Sequence, residues 1–308
     1  MGLRRSARVW LTLSGIAVAA GLGIWNPYVI IYGIQRAGLY AAVALPMALI
    51  LGVIGIVNLA HGEFLMLGAY LGYFLSTALG MDPLLAIVPV TIVMFFIGIG
   101  TYSLTIKKVL AAPELNQLLL TFGISMALSQ LVTLLATSQT RTVSVPYASA
   151  SATVGSLTFG TYDFLSVAFT ALILGGLLLF LRATRMGRAA IAVGQNPRGA
   201  RIVGINVNQT YLVTFGIAIG IMGILGPFYL VDHSIFPAVG GSYTMKSFCL
   251  VAMAGIGNLP GIVWASLGLG LAEAFISSFQ GYGDWSDIVF FALIVIVIFA
   301  RSHVRKTR

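Results

Sequence analysis

Long uncharged apolar runs recur along this chain. The run at about 84–105, "LLAIVPVTIVMFFIGIGTYSLT", holds no charged side chain. A membrane-spanning helix needs about 20 consecutive apolar residues, and stretches of that kind are found from one end of the sequence to the other. They are continuous rather than alternating, which selects helices over a β-barrel. Of the 308 residues, 59% are hydrophobic and 8% charged, whereas soluble domains carry about a quarter charged residues. A water-soluble globule of this composition would expose large apolar patches and aggregate. The chain is therefore expected to fold as an all-α polytopic membrane protein, a single domain over 1–308 with about 8–10 transmembrane helices.

The net charge of +9 is sorted along the chain rather than gathered. Arg4, Arg5 and Arg8 open it, Lys107 and Lys108 follow one apolar run, and Arg182, Arg185, Arg188, Arg198 and Arg201 fill one polar segment. Arg301, Arg305, Lys306 and Arg308 close it, so these groups hold 14 of the 17 basic residues. Basic loops stay cytoplasmic, which predicts both termini and the 182–207 segment inside. Loops bearing Asp82, Asp163, Asp232, Asp284 and Asp287 fall outside. A nucleic-acid face would need the same basic residues on one surface, and long apolar spans separate them. The single cysteine, Cys249, excludes an internal disulfide and any CxxC metal site. No metal and no cofactor is expected.

The spans are read at about 9–25, 38–57, from Glu63 to before Asp82, 84–105, 114–137, 164–181, 209–231, 261–279 and 285–300. The first is read as a span; a signal peptide with Ala17-Val18-Ala19 as its cleavage site is the alternative. A polar external stretch separates 137 from 164. The short, glycine-flanked segment 242–257 either crosses, giving ten spans, or forms a re-entrant pair, giving eight. The charge rule accepts both.

"GIVNLAHGEFLMLGAYL" from Gly55 is echoed by "GIGNLPGIVWASLGLGL" from Gly255. In each, an apolar run ends in a glycine-containing break with an amide, Asn58 or Asn258. Such breaks either line a cavity near the midplane or form a tight turn between spans, and both readings are open. The polar segment "RATRMGRAAIAVGQNPRGARIVGINVNQ" reads as two short helices. The first covers 186–193 and breaks at Gly194. The second takes Asn196 as N-cap, Pro197 as its first residue and Gly204 just past its end. Arg198 and Arg201 share a face, while Ala200, Ile202 and Val203 supply an apolar side. A helix this short is marginal alone, which points to a partner surface; contact with anionic lipid is the alternative.

Thr184-Arg185-Met186-Gly187-Arg188-Ala189, then Asn196-Pro197, then Val203-Gly204-Ile205-Asn206, resembles the cytoplasmic loop of the LivH/LivM-type permeases. "GIVNLAHGE" at 55–63, Met245-Lys246 with the following "AGIGNLPG", and "LGLAEAF" at 269–275 are similar to the same family, closer to its LivH branch. The resemblance runs from about Gly33 to Ala300. It implies an ABC-importer permease fold in a bacterial plasma membrane and a pathway for branched-chain amino acids or a related small polar solute. Two cytoplasmic ATP-binding subunits, an external solute-binding protein and a second permease subunit, LivM-like or a second copy, would be its partners. It implies an ATPase-coupling segment containing Arg188, Asn196, Pro197, Arg198, Ala200, Arg201 and Gly204. In agreement, no G-x-x-x-x-G-K-[ST] phosphate loop is present, so ATP hydrolysis is expected in a partner chain and this chain is not read as an enzyme.

Asn58, His61, Glu63, Lys246 and Asn258 are the candidate pathway residues. Each has a structural alternative. A negative charge at Glu63 suits a helix N-terminus, and Lys246 either reaches an interface or offers its ammonium to a substrate carboxylate. A rival function, a secondary transporter or channel, would use Glu63, Glu273 and His61 as intramembrane proton or cation sites. An intramembrane enzyme finds little support: "HGEFL" lacks the second histidine of a zinc-protease helix, and no G-x-S-x-G occurs.

Overall fold

A computed structural model describes residues 26–155 and 157–279. The expected spans at 9–25 and 285–300 lie outside the described residues. The helices are α1 (Pro27–Val53), α2 (His61–Leu79), α3 (Pro83–Thr101), α4 (Glu114–Ala136), α5 (Tyr162–Ala183), α6 (Arg185–Gln195) and α7 (Pro197–Ile202). They continue with α8 (Val207–Asp232), α9 (Val239–Ala254) and α10 (Leu259–Ser277). A π-helical turn, Tyr102–Ile106, carries α3 on to Val109. Between α4 and α5 the polar stretch forms a 3-10 turn, Pro146–Ser149, and an antiparallel hairpin of β1 (Ser151–Val154) and β2 (Leu157–Gly160). Six helices among the described residues are long and apolar enough to cross a membrane.

Side-chain caps fix where the helices begin. Asn26 accepts from the Tyr28 amide (3.1 Å) ahead of Pro27, and Asp82 accepts from Leu84 (2.8 Å) ahead of Pro83. Thr184, Asn196, Asn206 and Asn258 cap α6, α7, α8 and α10 in the same way. Each satisfies an amide that a helix start leaves unpaired. Asn26-Pro27 therefore opens a helix. α1 starts eleven residues before the expected 38, because a good cap and the packing of its first turns outweigh the polar pair Gln35-Arg36.

Outside the membrane-spanning segments, Tyr147 donates to Asp82 Oδ1 (2.8 Å), tying the 3-10 turn to the α3 start. Burial, together with that carboxylate, pushes the Tyr147 hydroxyl well above its usual range.

α1 and α8 form the buried centre. α3 and α2 pack on α8, and α10, α5 and α9 pack on α1. Small residues allow the close approaches: a Cβ on Gly226 would lie 2.4 Å from the Gly68 backbone, and one on Gly270 2.3 Å from the Gly33 carbonyl oxygen. Such contacts substitute for a hydrophobic driving force between helices in lipid. Phe96, Leu104, Leu134 and Leu172 point outward, as a lipid-facing surface requires.

The bundle has a hairpin end, with Asp82, Tyr147 and Asp232, and an arginine end, with α6 and α7. α2 and α9 are shorter than the membrane is thick. At 1.5 Å per residue the 16 residues of α9 reach about 24 Å, against about 30 Å of hydrocarbon. Non-helical stretches complete both crossings. Residues 54–60 climb back from the arginine end to the α2 start, and 233–238 descend from the hairpin end to the α9 start. The turn after α9 lies at the arginine end, where Gly257 approaches Gly52, and Gly194 of α6 packs on the Gly52 carbonyl. The segment at 242–257 is thus a crossing, not a re-entrant pair.

Candidate translocation site

The α2 and α9 N-termini meet inside the bundle. Each Gly of the pair Gly62 and Gly240 faces the other's backbone closely enough that a Cβ on Gly62 would sit 1.8 Å from the Gly240 carbonyl oxygen. The Gly62 amide, one of the donors that a helix start leaves free, donates to Thr244 Oγ1 (2.7 Å). The Thr244 hydroxyl proton is divided between Glu63 Oε2 (3.4 Å) and the Gly240 carbonyl (3.3 Å). Glu63 is buried in the first turn of α2, where the positive end of the helix favours its charge.

His61 is fully buried, and its Nε2 hydrogen-bonds to the Val43 carbonyl (2.8 Å). The bond falls in the turn of α1 that precedes Pro46, where a proline removes one ladder bond and bends the helix. His61 thus pins the α2 start to this bend. Asn58 is buried as well and accepts from the Ala60 amide (3.1 Å). Asn58 Nδ2 and His61 Nδ1 have no hydrogen-bond partner among the described residues, making this the least satisfied polar spot in the core.

The two echo motifs share a local design and differ in surroundings. Gly55 and Gly255 both take positive φ (83° and 92°), a conformation that favours glycine, and each asparagine accepts a backbone amide just downstream. Yet Asn58 is buried in the broken crossing, while Asn258 is exposed in a tight turn. The tight-turn reading describes the Asn258 copy, and the Asn58 copy is a buried break inside the bundle.

Lys246 lies with Glu273 rather than at an interface. Its Nζ is 3.3 Å from Glu273 Oε1 and donates to the Tyr40 hydroxyl at 3.1 Å. The Tyr40 hydroxyl donates to Glu273 Oε2 (2.5 Å), and the ammonium lies 4.8 Å from the centroid of the Tyr40 ring, a cation–π distance. This cluster ties α1, α9 and α10 together. Tyr40 and Glu273 also line a cavity of about 290 Å³, bounded by α1, α5, α8, α9 and α10.

At the arginine end, α6 folds back against the bundle. A Cβ on Gly187 would strike the Phe180 carbonyl oxygen at 1.9 Å, so only glycine permits the turn out of α5. α6 runs on through Gly194 to Gln195, one residue beyond the break expected at Gly194, and Gly194 is the residue that packs on Gly52. In α7, Asn196 caps Gly199 (2.9 Å) and Gly204 takes φ 84°. The Ile205 amide bonds to the Ala200 carbonyl and the Gly204 amide to that of Arg201, a Schellman closure. Ala200 faces the body, whereas Ile202 and Val203 are 86% and 74% exposed. The three apolar residues do not make one side. Arg198, Arg201, Ile202 and Val203 are outward, with the buried Ala200 as the anchor.

Residues 29–298 match the family described as "Branched-chain amino acid transport system / permease component". The chain belongs to this family. LivH, the high-affinity branched-chain amino acid transport system permease protein of Escherichia coli, is 31% identical over 86% of this chain and 90% of its own length. LivH of Salmonella typhimurium is 30% identical over the same shares. BraD of Pseudomonas aeruginosa, a permease protein of the same kind of system, is 26% identical over 88% and 92%. No solved structure matches the chain. Membership makes the chain a multi-pass membrane permease subunit of an ABC importer, and the secondary-transporter reading of His61, Glu63 and Glu273 falls away.

Within this permease the fold brings Asn58, His61 and Glu63 to the α2 start, and Lys246 to Glu273. It leaves Asn258 apart from both. Thr244, Tyr40 and Arg36 join the site without having been singled out from the sequence. An arginine inside an apolar run was the available signal for Arg36; placing the span start at 38 put it outside the membrane.

Proposed function

We propose that the permease forms part of the translocation pathway of an importer for branched-chain amino acids or a closely related solute. It works beside a second permease subunit, with two ATP-binding subunits docked on the 182–207 segment and a solute-binding protein at the hairpin end. The arginine end and both termini face the cytoplasm. This chain supplies the path, and its partners supply ATP hydrolysis.

The observation that carries the reading is α7. It is closed by caps at both ends, anchored by Ala200, and presents Arg198, Arg201, Ile202 and Val203 to whatever lies beyond. A mixed cationic and apolar surface on a rigid, capped helix suits a folded protein partner better than a lipid face, which needs no sharp cap. The α6–α7 segment also rests on Gly52, at the end of α1 where the broken crossing to His61 begins. Movement at the docked surface therefore reaches residues 54–60 through direct packing.

The experiment is uptake by the assembled transporter over a panel of amino acids, amides, urea and small carboxylates, each with the cognate binding protein. Uptake restricted to branched-chain amino acids, with ATP-binding subunits co-purifying, supports the reading. A permease that isolates without an ATP-binding subunit contradicts it. Orientation is read from a cysteine placed at Arg198 against the low background of buried Cys249: labelling from the outside of sealed cells reverses the topology.

A further inference from the structure

Arg36 is a cation within the candidate membrane-spanning helix α1 and forms no ion pair among the described residues. It is the tenth residue of α1, about 14 Å along the helix at 1.5 Å per residue. Its Nη1 donates to Ser277 Oγ (3.0 Å), and no described carboxylate lies within ion-pair distance of it. One turn deeper on the same α1–α10 contact comes the Tyr40–Glu273–Lys246 cluster. Residues 36 and 40 are one turn apart on α1, as 277 and 273 are on α10, so the two rungs stack. Among the described residues these two rungs hold two cations, Arg36 and Lys246, and one anion, Glu273, while Asp232 lines the same cavity. An excess charge at such a place is costly unless it meets water or an opposite charge.

Arg36 borders two cavities: one of about 600 Å³, which Ser277 also lines, and the 290 Å³ cavity, which Tyr40 and Glu273 share with it. Arg36 and Glu273 line the smaller one together with Leu39, Phe228, Tyr229 and Tyr243. Asp232 and His233, paired at 3.8 Å, stand at its hairpin-end rim. The volume is near the lower limit of small-molecule sites, about 300–1,000 Å³. It suits a single amino acid rather than a peptide.

We propose that this cavity is a transient binding site for an α-amino acid with an apolar side chain, and that Arg36 anchors the carboxylate. The proposal rests on the reading of the chain as an amino-acid permease and names the place where the solute pauses. A guanidinium offers a planar fork of five N–H donors that matches a carboxylate bidentately, and Ser277 accepts one of them. Glu273, whose oxygens hold Tyr40 and Lys246, has acceptor capacity left for the ammonium group. Leu39 and the aromatic rings receive the aliphatic side chain. At the hairpin end, this is the first station for a solute released from outside. Its affinity is low, since a site on a pathway must let its occupant leave.

The test uses the complete transporter in nanodiscs, without the binding protein, and titrates radiolabelled L-leucine against unlabelled L-leucine or L-leucinamide, which lacks the carboxylate. The unaltered complex is expected to prefer leucine by about tenfold or more, the scale of a lost charge pair. Arg36→Met should weaken leucine binding by a similar factor and erase the preference, while Arg36→Lys keeps part of it. Leucine uptake should fall in step. Equal binding of leucine and leucinamide by the unaltered complex overturns the proposal even if Arg36→Met fails to assemble. Unchanged binding and uptake in Arg36→Met overturns it as well. An unaltered complex that moves no amino acid at all would instead strike the parent reading, which the uptake panel detects separately.

Discussion

Gly62 and Gly240 cross in backbone contact: a Cβ on Gly62 would lie 1.8 Å from the Gly240 carbonyl oxygen, and one on Gly240 would lie 2.6 Å from the Gly62 carbonyl carbon. Two helices that begin inside the membrane thus start against each other, with Thr244 closing the joint through the Gly62 amide. The adjoining stretches, 54–60 and 233–238, have no helical ladder to hold them.

Alanine at Gly62 should therefore be costly. No side-chain end can give way, because the obstruction is backbone, so the expected destabilisation lies at or above the upper end of the roughly 1–3 kcal/mol seen for overpacking. Thermal melting of the purified complex and uptake at matched abundance check it. Unchanged melting and uptake for Gly62→Ala would show that the two helix starts are not in contact.

His61 is expected to act through the fold. His61→Ala removes a buried hydrogen bond and a ring's volume, a loss of about 2–4 kcal/mol. His61→Gln, which retains a donor for the Val43 carbonyl, should recover part of it. Uptake should track melting temperature across the two variants. If His61→Gln melts normally yet transports nothing, the imidazole serves the pathway directly.

Much of this was legible in the sequence. The helix starts expected near Glu63 and at Glu114 follow from the apolar runs, with the first observed at His61, and that at Pro197 follows from the Asn196 cap. Three features were not legible, for separate reasons. The α1 start was misplaced because Gln35 and Arg36 interrupt the hydropathy, while the energy that makes them helical comes from Gly160, which accepts from Gln35, and Ser277, which accepts from Arg36. The pairing of Lys246 with Glu273 joins residues 27 positions apart on different helices, and no local spacing encodes it. Ala200 and Ile202 look equally apolar in sequence, but only packing decides that one is buried and the other exposed.

Lys246 and Glu273 make a sharper test as a pair than singly. Their side chains are 15% and 9% exposed, and removing one partner of a largely buried pair typically costs about 3–5 kcal/mol because the other is left uncompensated. Lys246→Met and Glu273→Gln should each melt markedly lower, whereas the double variant should recover most of the loss. Uptake should stay low in the double variant, since Glu273 also faces the cavity. A double variant no more stable than either single one would mean that the pair does not couple α9 to α10.

α7, the proposed docking helix, gives the last prediction, and its burial pattern decides which residues to change. Ala200 is 4% exposed, so altering it would unseat α7 and confuse folding with docking. Arg198 and Arg201 are exposed and three residues apart, and Ile202 stands beside them. Replacing Arg198 and Arg201 with Glu reverses the charge that a partner meets and touches nothing in the core. Ile202→Glu removes the apolar contact separately. Both changes should leave insertion and melting of the permease near those of the parent, since exposed substitutions usually shift stability by no more than about 0.5 kcal/mol. Substrate-stimulated ATP hydrolysis should nevertheless fall sharply, and the ATP-binding subunits should co-purify poorly. Asn196→Ala, which strips the cap, should weaken coupling less, in keeping with a cap worth about 1 kcal/mol, and Asn196→Asp should retain it. Full coupling in the doubly reversed Arg198→Glu, Arg201→Glu variant would remove α7 as the docking surface and leave the lipid-contact reading of the segment standing.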